Sequence, residues 1–374
     1  MRANLPATTL LSSLAGLLAG ALIAILVVLV LDEDDGLDEQ TVEGIVATAV
    51  NDAFEQRDQS LSDAVVGVLP SIVIVDAESA AERDEDGNLI SKVSLGSGII
   101  LDAEGFVLTN EHVIRGAETI MVILADQSRH EAELVGHDAP FTDIAVLRIT
   151  PTGQRAPRFG SSAALDLGDA VFTAGNPLLG VRPTVTLGIV SDPDASFPRD
   201  NFVQEHLIQT DAALNQGNSG GALVNLAGEI VGLTTTVVRQ TDDGSFVDGV
   251  AFALQMDIVL PIARAIARDG GFPRADFGVL DVRSLDPLVA GQLGLSVDEG
   301  AFLLEITREG VFGLAGLRPG DIVVSMNGVA ITRDQPYLNV LRQLQPNQAV
   351  EVVYLALGME PQESLILTPE VRRR

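Results

Sequence analysis

Cysteine is absent from all 374 residues, which excludes disulfides, thiolate catalysis and cysteine-ligated zinc. Lysine is nearly absent as well: Lys92 stands alone, and the other 22 of the 23 basic residues are arginine. Set against 52 Asp and Glu, they leave a net charge of -29, which repels phosphate backbones and excludes nucleic acid as a partner. The acidity reads as a solvated surface. Histidine numbers only four, and none is spaced from a second ligand as a metal site requires, so neither metal nor cofactor is expected. What the chain does have is apolar residue, 47% over a length that allows two folded units with cores of their own.

Residues 10–31 run 22 positions without a charge, long enough to cross a hydrocarbon core of ~30 Å as a helix. Arg2 precedes this run and no further basic residue follows until Arg57, so the bulk of the chain is expected outside the cytoplasm. A cleaved signal peptide is the competing reading, kept open by the Ala19-Gly20-Ala21 triplet inside the run. Residues 32–61 are acidic and read as a stalk or linker, with Val42, Ile45, Val46, Ala49 and Val50 at spacings that also allow a short amphipathic helix. From Val65 the pattern changes to short apolar runs between Gly, Pro, Asn and Asp turns, at 71–75, 93–101, 106–109, 119–124 and 144–149. Such runs predict an all-β barrel or sandwich. A helix is predicted over 258–268, closed by Gly270-Gly271, and a domain is expected to end there.

Ser219 lies in Gly217-Asn218-Ser219-Gly220-Gly221, where small neighbours allow a tight turn to expose its hydroxyl. A serine needs a base and a carboxylate to orient that base. His112 follows an apolar strand and is the histidine placed to face a cleft; His130, His137 and His206 sit among charged or turn residues and read as surface or structural. Asp143 precedes the run Ile144-Ala145-Val146-Leu147. Alone it reads as a loop cap, but with His112 and Ser219 it completes an acid, a base and a nucleophile. Their chain order, His, Asp, Ser, is the one used by chymotrypsin-like barrels.

The blocks GSGIILDAEGFVLTNEHVI, TDIAVL, AGNPLLG, TVTLGIVS and IQTDAALNQGNSGGALVN, in this order across 65–255, resemble the HtrA/Deg family of serine proteases. The resemblance implies a chymotrypsin-like double β-barrel over 62–270, with His112 as general base, Asp143 orienting it and Ser219 attacking the scissile carbonyl. It further implies an oxyanion hole from the N–H groups of Gly217 and Ser219, with Asn218 shaping the turn. Gln216 and Ala222 stand where many members carry proline, and Ala174 replaces a larger apolar residue. The segment 248–254 resembles the specificity loop, and its lack of an acid in the apolar core favours a small aliphatic side chain before the cut. Arg199, in the polar stretch 196–201, falls where the family keeps a regulatory loop.

Residues 271–374 contain GAFLLEITREGVFGLAGLRPGDIVVSMNGVAIT, which resembles a PDZ domain of the Deg type. Asn327-Gly328 is a hairpin signal within it. The resemblance places a carboxylate-binding loop at Asp276-Phe277-Gly278-Val279, with C-terminal peptides as ligands. The acid at Asp276, where relatives often carry an aromatic, would repel a carboxylate.

One anchor (10–31), one protease and one PDZ domain resemble the DegS-like members. The expectation is a mainly β, single-pass inner-membrane protein with its protease and PDZ domains in the periplasm. By resemblance it would be a homotrimer acting on polypeptides, and cleaving a membrane-bound regulator such as an anti-sigma factor. Two rivals stay open: a general quality-control protease for misfolded envelope proteins, and a tethered chaperone or scaffold that binds peptides without cutting them.

Overall fold

The structure is a computed structural model that describes residues 61–372, except 81, 84–88, 91, 177–182, 200–201, 216, 238–248 and 357–361. The expected membrane span at 10–31, nearly all of the stalk and Gln216 lie outside the described residues. Ala64–Arg374 form one compact unit.

The first sheet has seven strands: β1 (Ile72–Ser79), β2 (Val93–Ile100), β3 (Phe106–Thr109), β4 (Ala117–Ile123), β5 (Arg129–Glu131), β6 (Glu133–His137) and β7 (Ala145–Arg148), five from the predicted apolar runs and two, β5 and β6, outside them. Their order is β5-β4-β1-β2-β3-β7-β6, all antiparallel where paired. Val73, Val75, Ile100, Val107, Val122 and Leu147 meet in one core. The turn between β2 and β3 is set by Gly105 at φ 90 and by Asp102 Oδ1, which accepts from the N–H of Glu104 at 2.8 Å. A four-residue helix, α1 (Glu111–Ile114), follows β3 directly.

The second sheet comprises β8 (Arg158–Phe159), β9 (Ala170–Gly175), β10 (Thr184–Arg199), β11 (Phe202–Thr210), β12 (Ala222–Asn225), β13 (Glu229–Val237) and β14 (Ala251–Gln255). Its order is β8-β13-β12-β9-β10-β11-β14, and a further pairing of β13 with β14 closes six of these strands into a barrel. Leu165, Val171, Val190, Ile208, Leu223, Val231 and Ala253 fill it. The polar stretch expected to be a loop around Arg199 is instead the end of β10: Arg199 pairs with Phe202 across the hairpin turn. Polarity misled there because strand pairing is made by the backbone and a polar stretch can join it.

Helix α2 (Met256–Asp269) extends the predicted 258–268 by two residues at the start and one at the end. Val259, Ile262, Ala263 and Ile266 form its buried stripe, and Gly270 at φ 75 caps it with its N–H on Ile266 O. Beyond it, β15 (Ala275–Asp276) pairs with the last strand, and a third sheet runs β16 (Val279–Ser284), β17 (Ala301–Ile306), β18 (Ile322–Met326), β19 (Val329–Ala330), β20 (Val350–Leu355) and β21 (Glu363–Leu367), before β22 (Glu370–Val371). Its order is β16-β17-β18-β20-β21, with β19 on β18. Three short helices, α3 (Pro287–Leu293), α4 (Val311–Ala315) and α5 (Tyr337–Arg342), complete this part. The β18–β19 turn places Asn327 at φ 48 and Gly328 at φ 75, the pair of left-handed residues a tight hairpin requires.

The C-terminal sheet is joined to the first sheet by more than the chain. Phe141, from the loop before β7, is buried among Phe277, Leu303, Phe312, Met326, Tyr337 and Val352. Beside it Arg274 donates to both oxygens of Asp138, at 2.9 and 2.7 Å, with both side chains buried. Thr142 Oγ1 donates to the same carboxylate at 2.7 Å, and the Arg274 guanidinium lies over Phe141 and Phe272. On the other flank, Asn339 of α5 accepts from Val203 N at 3.0 Å and donates to Val203 O at 2.7 Å, completing a backbone edge of β11 as another strand would. Removing one partner of a buried pair costs about 3–5 kcal/mol, because the other charge is left unpaired. Asp138→Ala is therefore expected to lower the thermal unfolding midpoint sharply, and pairing it with Arg274→Met to recover most of the loss. An unchanged midpoint in Asp138→Ala would contradict the contact.

Candidate active site

The pairing of β3 with β7 sets the site. Thr109 lies opposite Ala145, so the residues just after one strand and just before the other emerge at the same sheet end. His112 is on α1, and Asp143 lies two residues ahead of β7. Backbone contacts lock them: the Asn110 side-chain amide donates to Asp143 O at 2.8 Å, and the His112 N–H donates to Asp143 Oδ1 at 3.0 Å. The imidazole then closes the arrangement, with His112 Nδ1 2.5 Å from Asp143 Oδ2. That leaves Nε2 of His112 as the nitrogen free to handle a substrate proton.

Burial works to raise the Asp143 pKa, but hydrogen bonds from His112, its charge and the Thr235 hydroxyl at 3.0 Å outweigh it and hold the carboxyl below the usual range. Asp143 thus stays ionised. Its stabilising effect is present above the unfolded pKa of ~3.9 and is lost as the pH falls through the depressed folded value.

Ser219 approaches from the barrel formed by the second sheet. Its loop is held by Ser97 Oγ, which donates to Gly217 O at 2.7 Å and accepts from Asn176 N at 2.8 Å. Asn218 O accepts from Thr234 Oγ1 at 2.6 Å and from Gly221 N at 2.9 Å. Gly217 has φ 98, and Gly220 has φ 84 with no room for a side chain, since a Cβ would come 2.1 Å from Ser97 O. Among the described residues, the N–H groups of Gly217 and Ser219 have no acceptor, whereas Asn218 N donates to Asn215 O at 3.0 Å. The serine hydroxyl donates to Thr235 O at 3.0 Å, and no hydrogen bond joins it to His112.

A histidine held by a buried carboxylate, linked through Thr235 to a serine on a glycine turn with unused N–H donors, is the equipment of acyl transfer. Residues 96–233 match the model of the trypsin-like peptidase domain. The solved HtrA-type protease AlgW with decapeptide is 31% identical, with a TM-score of 0.61 over 84% of this chain and 99% of that one. AlgW with tripeptide is 33% identical, with a TM-score of 0.57 over 84% and 98%. The chain belongs to the HtrA family of serine proteases. This HtrA-type serine endopeptidase is also 36% identical over 270 residues to a probable periplasmic serine endoprotease, DegP-like, of Ectopseudomonas mendocina (72% of this chain, 55% of that protein). The corresponding protein of Marinomonas sp. is 38% identical over 279 residues (75% and 57%). The chain spans about half the length of the curated relatives it matches.

In this HtrA-type enzyme the structure brings His112 and Asp143 into contact and leaves Ser219 on Thr235. Arg199 ends β10. Asp276 lies in β15, Val279 begins β16, and Phe277 and Gly278 join them. His130 bonds Ser128 at 2.9 Å and His206 lies 3.5 Å from Asp194, both away from the triad. No cluster suited to a metal ion is present among the described residues. Sequence reasoning missed Ser97 and Thr235. Ser97 sits between Gly96 and Gly98, a weak signal of close backbone approach, but the run Thr234-Thr235-Thr236 carries no local sign of its role. Because Gly220→Ala forces the nucleophile loop to shift by on the order of 1 Å, it is expected to lower kcat about 100-fold with the fold retained. Turnover equal to the parent's would contradict the packing described.

Proposed function

We propose that this endopeptidase cuts polypeptides of the cell envelope with Ser219 as nucleophile, His112 as general base and Asp143 as the group that orients it. His112 Nε2 takes the Ser219 proton as Oγ bonds to the scissile carbonyl carbon, then returns it to the leaving amine as the C–N bond breaks. Water repeats the sequence to release the acid product. The developing oxyanion is held by the N–H groups of Gly217 and Ser219, with Asn218 shaping the turn. The observation that carries this reading is the 2.5 Å contact between His112 and Asp143, with Thr235 bonded both to that carboxylate and to the Ser219 hydroxyl. In the described conformation the serine must first leave the Thr235 carbonyl, by rotation about its Cα–Cβ bond, to reach the base.

The C-terminal sheet is read as a PDZ domain that senses peptides and controls the protease. The AlgW match supports this, since it covers 84% of the chain and so reaches beyond the trypsin-like region at 96–233. The buried contacts at Asp138–Arg274 and Asn339–Val203 supply a physical connection. Periplasmic action is supported by the names of the relatives. Anchoring by 10–31 rests on the sequence; no helix among the described residues is long and apolar enough to cross a membrane. A homotrimer and a preference for small aliphatic side chains before the cut follow from family resemblance, as does cleavage of an anti-sigma-type regulator in envelope stress signalling, with Arg199 in a regulatory hairpin. A second reading, general degradation of misfolded envelope proteins, also rests on family resemblance.

Ser219→Ala is expected to abolish casein cleavage while leaving the fold intact. Residual cleavage at the parent rate would remove Ser219 from the mechanism. Comparing new protein termini in cells carrying the parent and the variant separates the two readings: one dominant membrane substrate for signalling, many unrelated ones for quality control.

A further inference from the structure

The groove between β16 and α5 has a volume of about 370 Å³, with Val279, Val282, Leu338 and Leu341 among its apolar lining. β16 is the edge strand of its sheet, bonded to β17 on one side only, so an extended segment can add to its open side. At the entry to this strand, Phe277 O accepts from Phe312 N at 2.9 Å and Gly278 O accepts from Thr307 N at 2.7 Å. The loop is therefore fixed by its carbonyls, and its N–H groups are the donors available to a ligand's end. One of them is already taken: Gly278 N–H donates to Oδ1 of Asp276 at 2.7 Å. The chain thus puts its own carboxylate where a peptide's terminal carboxylate would bind.

The surroundings do not reverse this. Asp281 lines the same groove, and Arg372 is the cation facing it, spread over the Phe141 ring at 5.3 Å. Tyr337, at the start of α5, also lines the groove, and its hydroxyl is buried without a hydrogen-bond partner. Burial and the neighbouring Asp276 push the phenol pKa up, so it stays a neutral donor, suited to a backbone carbonyl as well as to an acid.

We propose that Asp276 sets the specificity of this groove against free C-termini, so that it takes an internal extended stretch of polypeptide with a neutral amide at the Gly278 loop. The proposal deepens the peptide-sensing reading above and rests on it.

The test uses the full chain carrying Ser219→Ala, so that peptides stay intact, and two pools of fluorescein-labelled decapeptides. Both pools end in leucine, valine or phenylalanine at otherwise random sequence, one as the free acid and one as the amide. Fluorescence anisotropy is expected to show the amide pool bound at least as tightly as the acid pool when Asp276 is present. Asp276→Asn removes the charge and keeps the shape; Asp276→Ala also frees the Gly278 N–H. Each is expected to tighten binding of the acid pool by about tenfold or more, as removal of a like charge at hydrogen-bond range should, with little change for the amide pool. A tenfold preference for the acid pool with Asp276 in place, or an acid-to-amide ratio unmoved by both variants, overturns the proposal. Failure of every form to bind either pool instead overturns the peptide-sensing reading, and this proposal with it.

Discussion

The 2.5 Å contact between His112 Nδ1 and Asp143 Oδ2 depends on three separate parts of the chain being in place. The β3–β7 pairing brings the two residues to one sheet end, and the His112 backbone N–H holds the second carboxylate oxygen. Thr235, from the second barrel, donates to the same oxygen that the imidazole uses. A carboxylate so surrounded remains charged despite burial, and a charged carboxylate fixes which imidazole nitrogen carries the proton. The base is thus assembled from both halves of the protease region, and packing between the halves becomes a catalytic requirement.

Thr235 also receives the Ser219 hydroxyl on its carbonyl oxygen. One residue therefore supports the acid with its side chain and occupies the nucleophile with its backbone. Moving the serine to His112 exchanges one hydrogen bond for another, so the free-energy difference between the two arrangements need not be large. Modest forces on the loop can then shift the populations. The loop 138–143 offers a place for such forces: Asp138 is paired with Arg274, Phe141 is embedded in the C-terminal core, and Asp143 is the orienting acid. Three contacts within six residues tie the C-terminal sheet to the proposed triad.

Much of the protease region was legible because its signals are local. The strand at 106–109 is bounded as the apolar run is, and the Asp102–Gly105 and Asn327-Gly328 turns follow from residues that tolerate left-handed backbone. Three residue types in one order, each beside a strand, pointed to the triad, and β3–β7 pairing explains how a base and an acid 31 positions apart meet. Other features came from contacts between distant segments, which no local pattern encodes. Phe141 reads as one apolar residue in a polar loop, and its partners lie more than 100 positions away. Ser97 reaches 120 positions to Gly217. Asp276 was visible as an unusual acid, but that it takes the Gly278 N–H required the fold. The strand ending at Arg199 was misjudged because polarity alone does not distinguish a strand from a loop.

In the proposed mechanism Ser219 becomes a nucleophile only through the His112–Asp143 pair. Mass spectrometry after incubation with a fluorophosphonate measures this directly. A single covalent adduct is expected at Ser219 in the parent chain, and its loss in His112→Ala. Labelling of Ser219 at an undiminished rate without His112, or an adduct on a different residue, would contradict it.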